Sequence, residues 1–124
     1  MYPISNFLIK IKNAKLAGKK DVSTNYSKLI ENILKVLKKE GYIANYKIYK
    51  EGHFKYIKVN ITDANISDLK IISSPGKRIY YNVNALKKLR NTVGVTVVST
   101  PKGVVSHKEA LKNNVGGEVI CRVW

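Results

Sequence analysis

The chain has 124 residues, enough for one domain or two small ones, and its 44% hydrophobic and 25% charged fractions exclude an intrinsically disordered protein. Lys and Arg number 23 against 8 Asp and Glu, so the formal net charge is +15. This excess favours a polyanionic partner, either nucleic acid or an anionic membrane surface.

Two amphipathic helices are predicted in the first half of the chain. Apolar side chains within residues 4–11 recur at the i, i+3, i+4, i+7 spacing of one buried helix face, and Gly18 is a suitable stop. The same spacing over residues 30–37 predicts a second helix, with Ser27 as its N-cap and Gly41 at its end. The lysines off this second stripe are interpreted as a solvated face: Lys35, Lys38 and Lys39.

Three short strands complete this half. Residues 19–25 predict a turn and a strand, and residues 42–49 and 57–61 predict a hairpin. Residues 1–66 are therefore predicted to form an N-terminal α/β subdomain, with two helices packed on a small three-stranded sheet. The polar, turn-rich residues 62–68 are interpreted as a linker.

Residues 67–124 are predicted to form a C-terminal, mainly β subdomain with short helices, so the fold class is α+β with two small subdomains. Strands are expected at residues 69–73, 78–83, 93–99 and 118–124. Asn84 is predicted to cap one short helix, and Ser106 begins a capping-box pattern that predicts a second. Gly116 and Gly117 predict a tight turn.

Residues that support catalysis or metal binding do not converge in the sequence. Cys121 is the only cysteine and lies in an apolar run, which indicates a buried inert thiol and favours a reducing compartment. His53 is predicted in a solvated turn, and His107 is interpreted as structural or as a minor phosphate contact. The segment 74–77 is similar to the end of a phosphate-binding loop, but Arg78 stands where that loop needs Ser or Thr. We expect no enzyme activity, no metal and no cofactor. No run of about 18 apolar residues predicts a membrane-spanning helix.

Two loops have a better composition for RNA binding than lysines scattered along a helix. The loop 99–103 (Ser-Thr-Pro-Lys-Gly) offers two hydroxyls, a cation and a glycine that allows close backbone approach. In the segment 116–118 (Gly-Gly-Glu), backbone N–H groups can face a ligand and the carboxylate can accept from base amino groups. The same residues also form plain turns, so the loops alone leave both interpretations open.

Motifs along essentially the whole chain resemble one family. The most specific are the stretch 95–105 (VTVVSTPKGVV), the pair Glu109–Ala110, the segment 115–121 (VGGEVIC) and the terminal Trp124. Segments 3–14, 27–29, 40–43 and 74–80 match in order and spacing. The chain thus resembles the bacterial and organellar family of small-subunit ribosomal protein eight.

This resemblance implies a structural constituent of the small ribosomal subunit. Such a protein would bind the central domain of small-subunit rRNA, aid its folding and assembly, and contact neighbouring small-subunit ribosomal proteins. No membrane or small-molecule substrate is implied. The expected location is the ribosome of a bacterial cytoplasm, a mitochondrion or a plastid. Alternatives are repression of the protein's own mRNA, or a basic nucleic-acid or membrane binder outside the ribosome; the narrow apolar stripes of the helices argue against the membrane.

The resemblance also implies which residues contact RNA. In the second half they are Ser99, Thr100, Pro101, Lys102, Gly103, Gly116, Gly117, Glu118, Tyr80, Lys77 and Arg78. In the first half they are Lys10, Lys12, Asn13, Lys15, Ser27 and Lys28. Some positions depart from the family pattern: Pro101 replaces a serine, Tyr2 replaces an acidic N-cap, and lysine replaces arginine at Lys10 and Lys12. We expect Pro101 to remove one hydrogen bond, and the lysines to lose bidentate geometry while keeping the charge.

Overall fold

The computed structural model describes residues 3–62, 66–74 and 76–124. These residues form two units, Pro3–Ile66 and Ser67–Trp124. Each unit combines helices with an antiparallel sheet, which confirms the predicted α+β class. Tyr2, which was expected to lack the capping role of an acidic residue, lies outside the described residues. Positions 63–65 of the predicted linker also lie outside them.

Helices and strands alternate in the first unit. The elements are α1 (Pro3–Leu16), β1 (Asp21–Asn25), α2 (Lys28–Lys39), β2 (Tyr46–Glu51) and β3 (Phe54–Asn60). The apolar stripes of both helices are buried, namely Phe7, Leu8 and Ile11 on α1, and Ile30, Ile33, Leu34 and Leu37 on α2. Gly18 and Gly41 follow the helices with φ of 72° and 83°, the left-handed conformation that commonly ends a helix. Lys35, Lys38 and Lys39 are exposed, as predicted.

The sheet of the first unit has the order β1-β3-β2, and both pairings are antiparallel. Val22, Ile57 and Val59 are buried on one of its faces. The strand predicted over residues 42–49 begins only at Tyr46. Tyr42 belongs to the end of α2 instead, because its N–H donates to the Leu37 carbonyl at 2.8 Å.

The second unit is mainly a five-stranded sheet. Its elements are β4 (Leu69–Ile71), β5 (Tyr80–Tyr81), α3 (Val83–Lys87), β6 (Val95–Thr100), β7 (Gly103–Ser106), α4 (His107–Lys112) and β8 (Gly117–Val123). The strand order is β4-β8-β6-β7, and β5 pairs with the beginning of β8. The core side chains on β6 and β8 are Val95, Val97, Val98, Val119, Ile120, Cys121 and Val123.

The strands predicted over 69–73 and 78–83 are both shorter than expected. The buried Ser73 explains this, because its Oγ donates to the Val119 carbonyl at 2.6 Å and accepts from the Ile79 N–H at 3.0 Å. A side chain thus replaces a backbone partner beside β8, and regular pairing is interrupted on both sides of the loop.

Turns and caps of the second unit differ from the prediction in three places. Asn82 rather than Asn84 caps α3, since its Oδ1 accepts from the Ala85 N–H at 2.8 Å. The turn after α4 lies before the two glycines, with Asn114 at φ 56°, and Gly117 already begins β8. Strand β7, which was not predicted, leads directly into the helix capped by Ser106. That cap is confirmed, because Ser106 Oγ accepts from the Glu109 N–H at 3.2 Å.

Candidate nucleic-acid interface

The loop 99–103 is the connection of the β6–β7 hairpin. Thr100 pairs with Gly103 across the hairpin, and Pro101 and Lys102 form its exposed tip. Proline fits there because its fixed φ suits the second residue of a turn. Gly103 has φ 122°, a backbone conformation that side chains of other residues disfavour. The sequence therefore fixes a tight tip that exposes one ammonium group.

The hydroxyl of Thr100 is engaged within this loop. Thr100 Oγ1 donates to the Gly103 carbonyl at 2.7 Å and accepts from the Lys102 N–H at 3.2 Å. The residue is only 9% exposed, whereas Ser99 is half-buried. Of the two hydroxyls predicted to contact RNA, that of Thr100 shapes the loop.

Strand β8 approaches β6 unusually closely beside the loop. A Cβ added to Gly117 would lie 2.1 Å from the Ser99 carbonyl oxygen and 3.1 Å from the Thr100 Cα. A Cβ on Gly116 would lie 2.4 Å from the Tyr81 carbonyl oxygen. Both glycines are half-buried, so the structure assigns them first to close strand packing. The sequence predicted instead that these glycines allow backbone N–H groups to face a ligand.

Three of the predicted contact residues form one row across the sheet. Ser99 on β6 is paired with Glu118 on β8, and Glu118 is paired with Tyr80 on β5. Side chains at directly paired positions lie on the same face of a sheet. Tyr80 is 66% exposed, so this row presents a hydroxyl, a carboxylate and an aromatic ring together.

The two carboxylate oxygens of Glu118 differ in their contacts. Arg78 Nη1 lies 3.4 Å from Glu118 Oε1, while Oε2 is buried and has no hydrogen-bond partner among the described residues. The side chain as a whole is 14% exposed, so part of the carboxylate group faces solvent beside Tyr80. Lys77, on the same loop as Arg78, is exposed. The row is thus accompanied by cationic groups that suit phosphate.

A second set of predicted residues lies in the first unit. Lys10 and Asn13 are exposed and three positions apart on α1, so they share a helix face. They line a groove beside β1 together with Lys19, a residue that sequence reasoning missed although it follows the helix stop.

The other predicted residues of this unit lie outside the groove lining. Lys12, Lys15 and Ser27 are half-buried, and Lys28 is exposed. Ser27 is the N-cap residue of α2, as predicted, and its carbonyl accepts from the Glu31 N–H at 2.9 Å, but its side chain makes no cap bond.

The reactive side chains of the second unit belong to its core. His107 is 1% exposed and its Nδ1 accepts from the Thr96 N–H at 3.1 Å, so the alternative role of phosphate contact is wrong. Burial raises the pKa of the Cys121 thiol to about 12, which agrees with the predicted inert thiol. Among the described residues, no cluster of three His, Cys, Asp or Glu side chains could hold a metal ion. Within the same residues, no helix has the length and apolar character needed to cross a bilayer.

An α+β fold with a net charge of +15 and a row of short polar and aromatic side chains is typical of small basic proteins that bind structured RNA. The family model for ribosomal protein S8 matches residues 2–124, and the chain belongs to that family. Members of this family are structural, non-enzymatic components of the ribosome, which confirms the prediction that the chain is not an enzyme.

Curated relatives agree with this assignment. The small ribosomal subunit protein uS8 of Nautilia profundicola is 41% identical over 126 residues, covering 98% of this chain and 96% of the relative. The uS8 proteins of Kosmotoga olearia and Malacoplasma penetrans are each 42% identical. These alignments cover 98% and 100% of this chain, and 97% and 98% of the respective relatives.

Proposed function

We propose that this chain is a structural constituent of the small ribosomal subunit, where it binds the central domain of the small-subunit rRNA and aids its folding. The bacterial relatives support action on the ribosome of a bacterial cytoplasm; an organellar ribosome is the alternative location. Neighbouring ribosomal proteins are further partners.

The row of Ser99, Glu118 and Tyr80 is the observation that carries this proposal. The partly exposed Glu118 carboxylate accepts from a base amino group or a 2′-hydroxyl, and the exposed Tyr80 ring offers a face to an unpaired base. Such contacts need bases that are accessible, as they are at helical junctions and bulges. The row therefore distinguishes an irregular RNA site from a plain duplex.

The cationic residues supply affinity without sequence information. Lys102 at the hairpin tip and Lys77 and Arg78 beside the row are exposed. Each phosphate that they neutralise releases counterions, which makes binding weaker as salt rises. Lys10 and Asn13 in the α1 groove act on the RNA backbone of the same partner, together with the remaining predicted residues of the first unit: Lys12, Lys15, Ser27 and Lys28.

A binding titration tests this division of roles. The full chain is titrated against a central-domain junction of small-subunit rRNA and against a plain RNA duplex of equal length, at several salt concentrations. Glu118→Gln should weaken junction binding about tenfold and leave duplex binding unchanged, because it replaces one acceptor with a donor. Lys102→Ala should weaken both and lower the salt slope by about 0.9. Glu40→Gln, at a half-buried position at the end of α2 and outside the row, is the matched control.

Two results would contradict the proposal. Equal affinity of the unmodified chain for junction and duplex would remove specific recognition. Equal effects of Glu118→Gln and Glu40→Gln on junction binding would remove the role of the row.

A further inference from the structure

One face of the β1-β3-β2 sheet is solvent-accessible along its whole length. The strand register places these residues on it: Asp21, Ser23 and Asn25 from β1, Lys47, Tyr49 and Glu51 from β2, and Phe54, Tyr56, Lys58 and Asn60 from β3. We call this the open sheet face. None of these residues is buried, whereas Val22, Ile57 and Val59 on the opposite face are in the core.

Aromatic side chains are concentrated on the open sheet face. The rings of Tyr49 and Tyr56 stack across the strands, with centroids 5.4 Å apart and planes 25° apart. The Tyr49 hydroxyl donates to Ser23 Oγ at 3.4 Å. Phe54, at the end of β3, is 66% exposed. The solvent face of an antiparallel sheet is normally polar, so three accessible rings on one such face form a surface for a ligand.

Lysines lie beside Tyr49 and Tyr56 at one end of the open sheet face. The hairpin Tyr46–Asn60 contains four lysines and one acidic residue, Glu51. Lys47 and Lys58 lie on the open sheet face itself, and Lys58 pairs with Asp21 at 3.5 Å. Lys50 and Lys55 pair with each other on the opposite face of the sheet, whereas Lys20 lines one groove together with Lys47, Lys58 and Asp21. Three cations against one carboxylate in this groove are complementary to a polyanion.

We propose that the open sheet face is a second RNA-binding surface, which takes a single-stranded segment by stacking its bases on Tyr49, Tyr56 and Phe54. Aromatic rings beside lysines are the combination that single-stranded nucleic acids require, because the bases stack while the cations follow the phosphates. A duplex hides the faces of its bases, and an acidic peptide would use the lysines but not the rings. This surface shares no residue with the contacts proposed above and does not depend on them.

Binding of fluorescein-labelled decauridylate to the full chain, followed by fluorescence anisotropy, tests the proposal. Phe54→Thr combined with Tyr56→Thr keeps β-favouring residues and removes two rings. We expect the double variant to lose about tenfold or more in affinity, since each stacked base contributes strongly to binding. A deoxythymidylate oligomer of the same length should have an affinity within about threefold of that of decauridylate, because stacking tolerates changes of base and sugar.

Matched variants separate the contributions. Val93→Thr removes an exposed apolar side chain of the second unit and should leave decauridylate binding unchanged. Lys47→Gln should weaken binding at low salt, whereas Lys35→Gln, on the exposed side of α2, should have a smaller effect. Phe54→Thr alone changes an exposed side chain at the start of β3, so the fold should be kept, and decauridylate affinity should still fall about fivefold.

Three outcomes would overturn the proposal. Decauridylate affinity that is unchanged in the double variant excludes stacking on the open sheet face. If Glu118→Gln rather than the double variant lowers decauridylate affinity, the oligomer binds at the row of the second unit. If a labelled decaglutamate binds the unmodified chain as tightly as decauridylate does, and loses the same affinity in the double variant, the occupant is an acidic peptide. Junction binding should remain unchanged in the double variant, so this proposal and the proposed function fail separately.

Discussion

Replacing Gly117 with alanine tests the close approach of β8 to β6. The added methyl carbon would lie 2.1 Å from the Ser99 carbonyl oxygen and 2.9 Å from its carbonyl carbon. Both atoms belong to the backbone, so no change of side-chain rotamer can relieve the contact. The two strands must separate by roughly an ångström to reach a tolerable distance.

The size of the effect follows from this geometry. Overpacking of a well-packed site costs about 1–3 kcal/mol, and here the separation also strains the ladder at the pairing of Ser99 with Glu118. We therefore expect Gly117→Ala to lower the free energy of unfolding by about 3 kcal/mol. For a chain of this size, that corresponds to a fall in Tm of roughly 10 °C.

Urea and thermal unfolding followed by circular dichroism measure the effect. Gly76→Ala is the control, because a Cβ there meets no atom within 4 Å and the backbone conformation is not restricted to glycine. The control should be neutral or slightly stabilising. A loss below about 0.5 kcal/mol for Gly117→Ala, or an equal loss for Gly76→Ala, would refute the steric argument.

Three further changes probe local interactions. Thr100→Val removes both hydrogen bonds of the hairpin hydroxyl and should cost about 1–2 kcal/mol in urea unfolding, with Thr100→Ser restoring most of it; equal losses in both would contradict this. Ser106→Ala should cost about 1 kcal/mol through loss of the α4 cap, while Ser27→Ala should be nearly neutral, and the reverse order would show that the caps are misassigned. Burial raises the pKa of Cys121 from 9.0 to about 12, so the thiol's contribution to stability is complete below pH 9 and is lost as pH rises toward 12. Unfolding free energies of the unmodified chain and Cys121→Val should therefore diverge above pH 9, and parallel pH profiles would exclude this contribution.

Local patterns in the sequence predicted the helices well. The apolar stripes of residues 7–11 and 30–37 are buried because helical spacing alone determines which side chains share a face. The capping box at Ser106 was also found, since its two partners are three residues apart. These features depend only on neighbours along the chain.

Features set by distant pairing were not predictable in the same way. Asn82 and Asn84 are equally good caps in sequence, and the choice between them depends on where β5 stops pairing with β8. That stop is influenced by Ser73, whose hydroxyl bonds a carbonyl 46 positions away. Strand ends in the second unit therefore follow from tertiary contacts rather than from local preference.

The candidate site also combines features that local motifs predicted with features that depend on strand pairing. The motifs identified the loop 99–103 and the segment 116–118, but the row of Ser99, Glu118 and Tyr80 exists only through strand register. The role of Gly117 as a contact point between backbones likewise required the paired strands. The aromatic residues of the open sheet face were not recognised from sequence, because tyrosine in a strand is ordinary by itself.

The tip of the β6–β7 hairpin has a consequence for the thermodynamics of association. Pro101 has a ring-locked φ, and the side chain of Thr100 ties the two ends of the turn together. Ordering a flexible backbone costs about 1–2 kcal/mol per residue when a complex forms. Most of that entropy has already been lost here during folding, so Lys102 meets its partner from a pre-organised loop and more of its interaction energy appears as affinity.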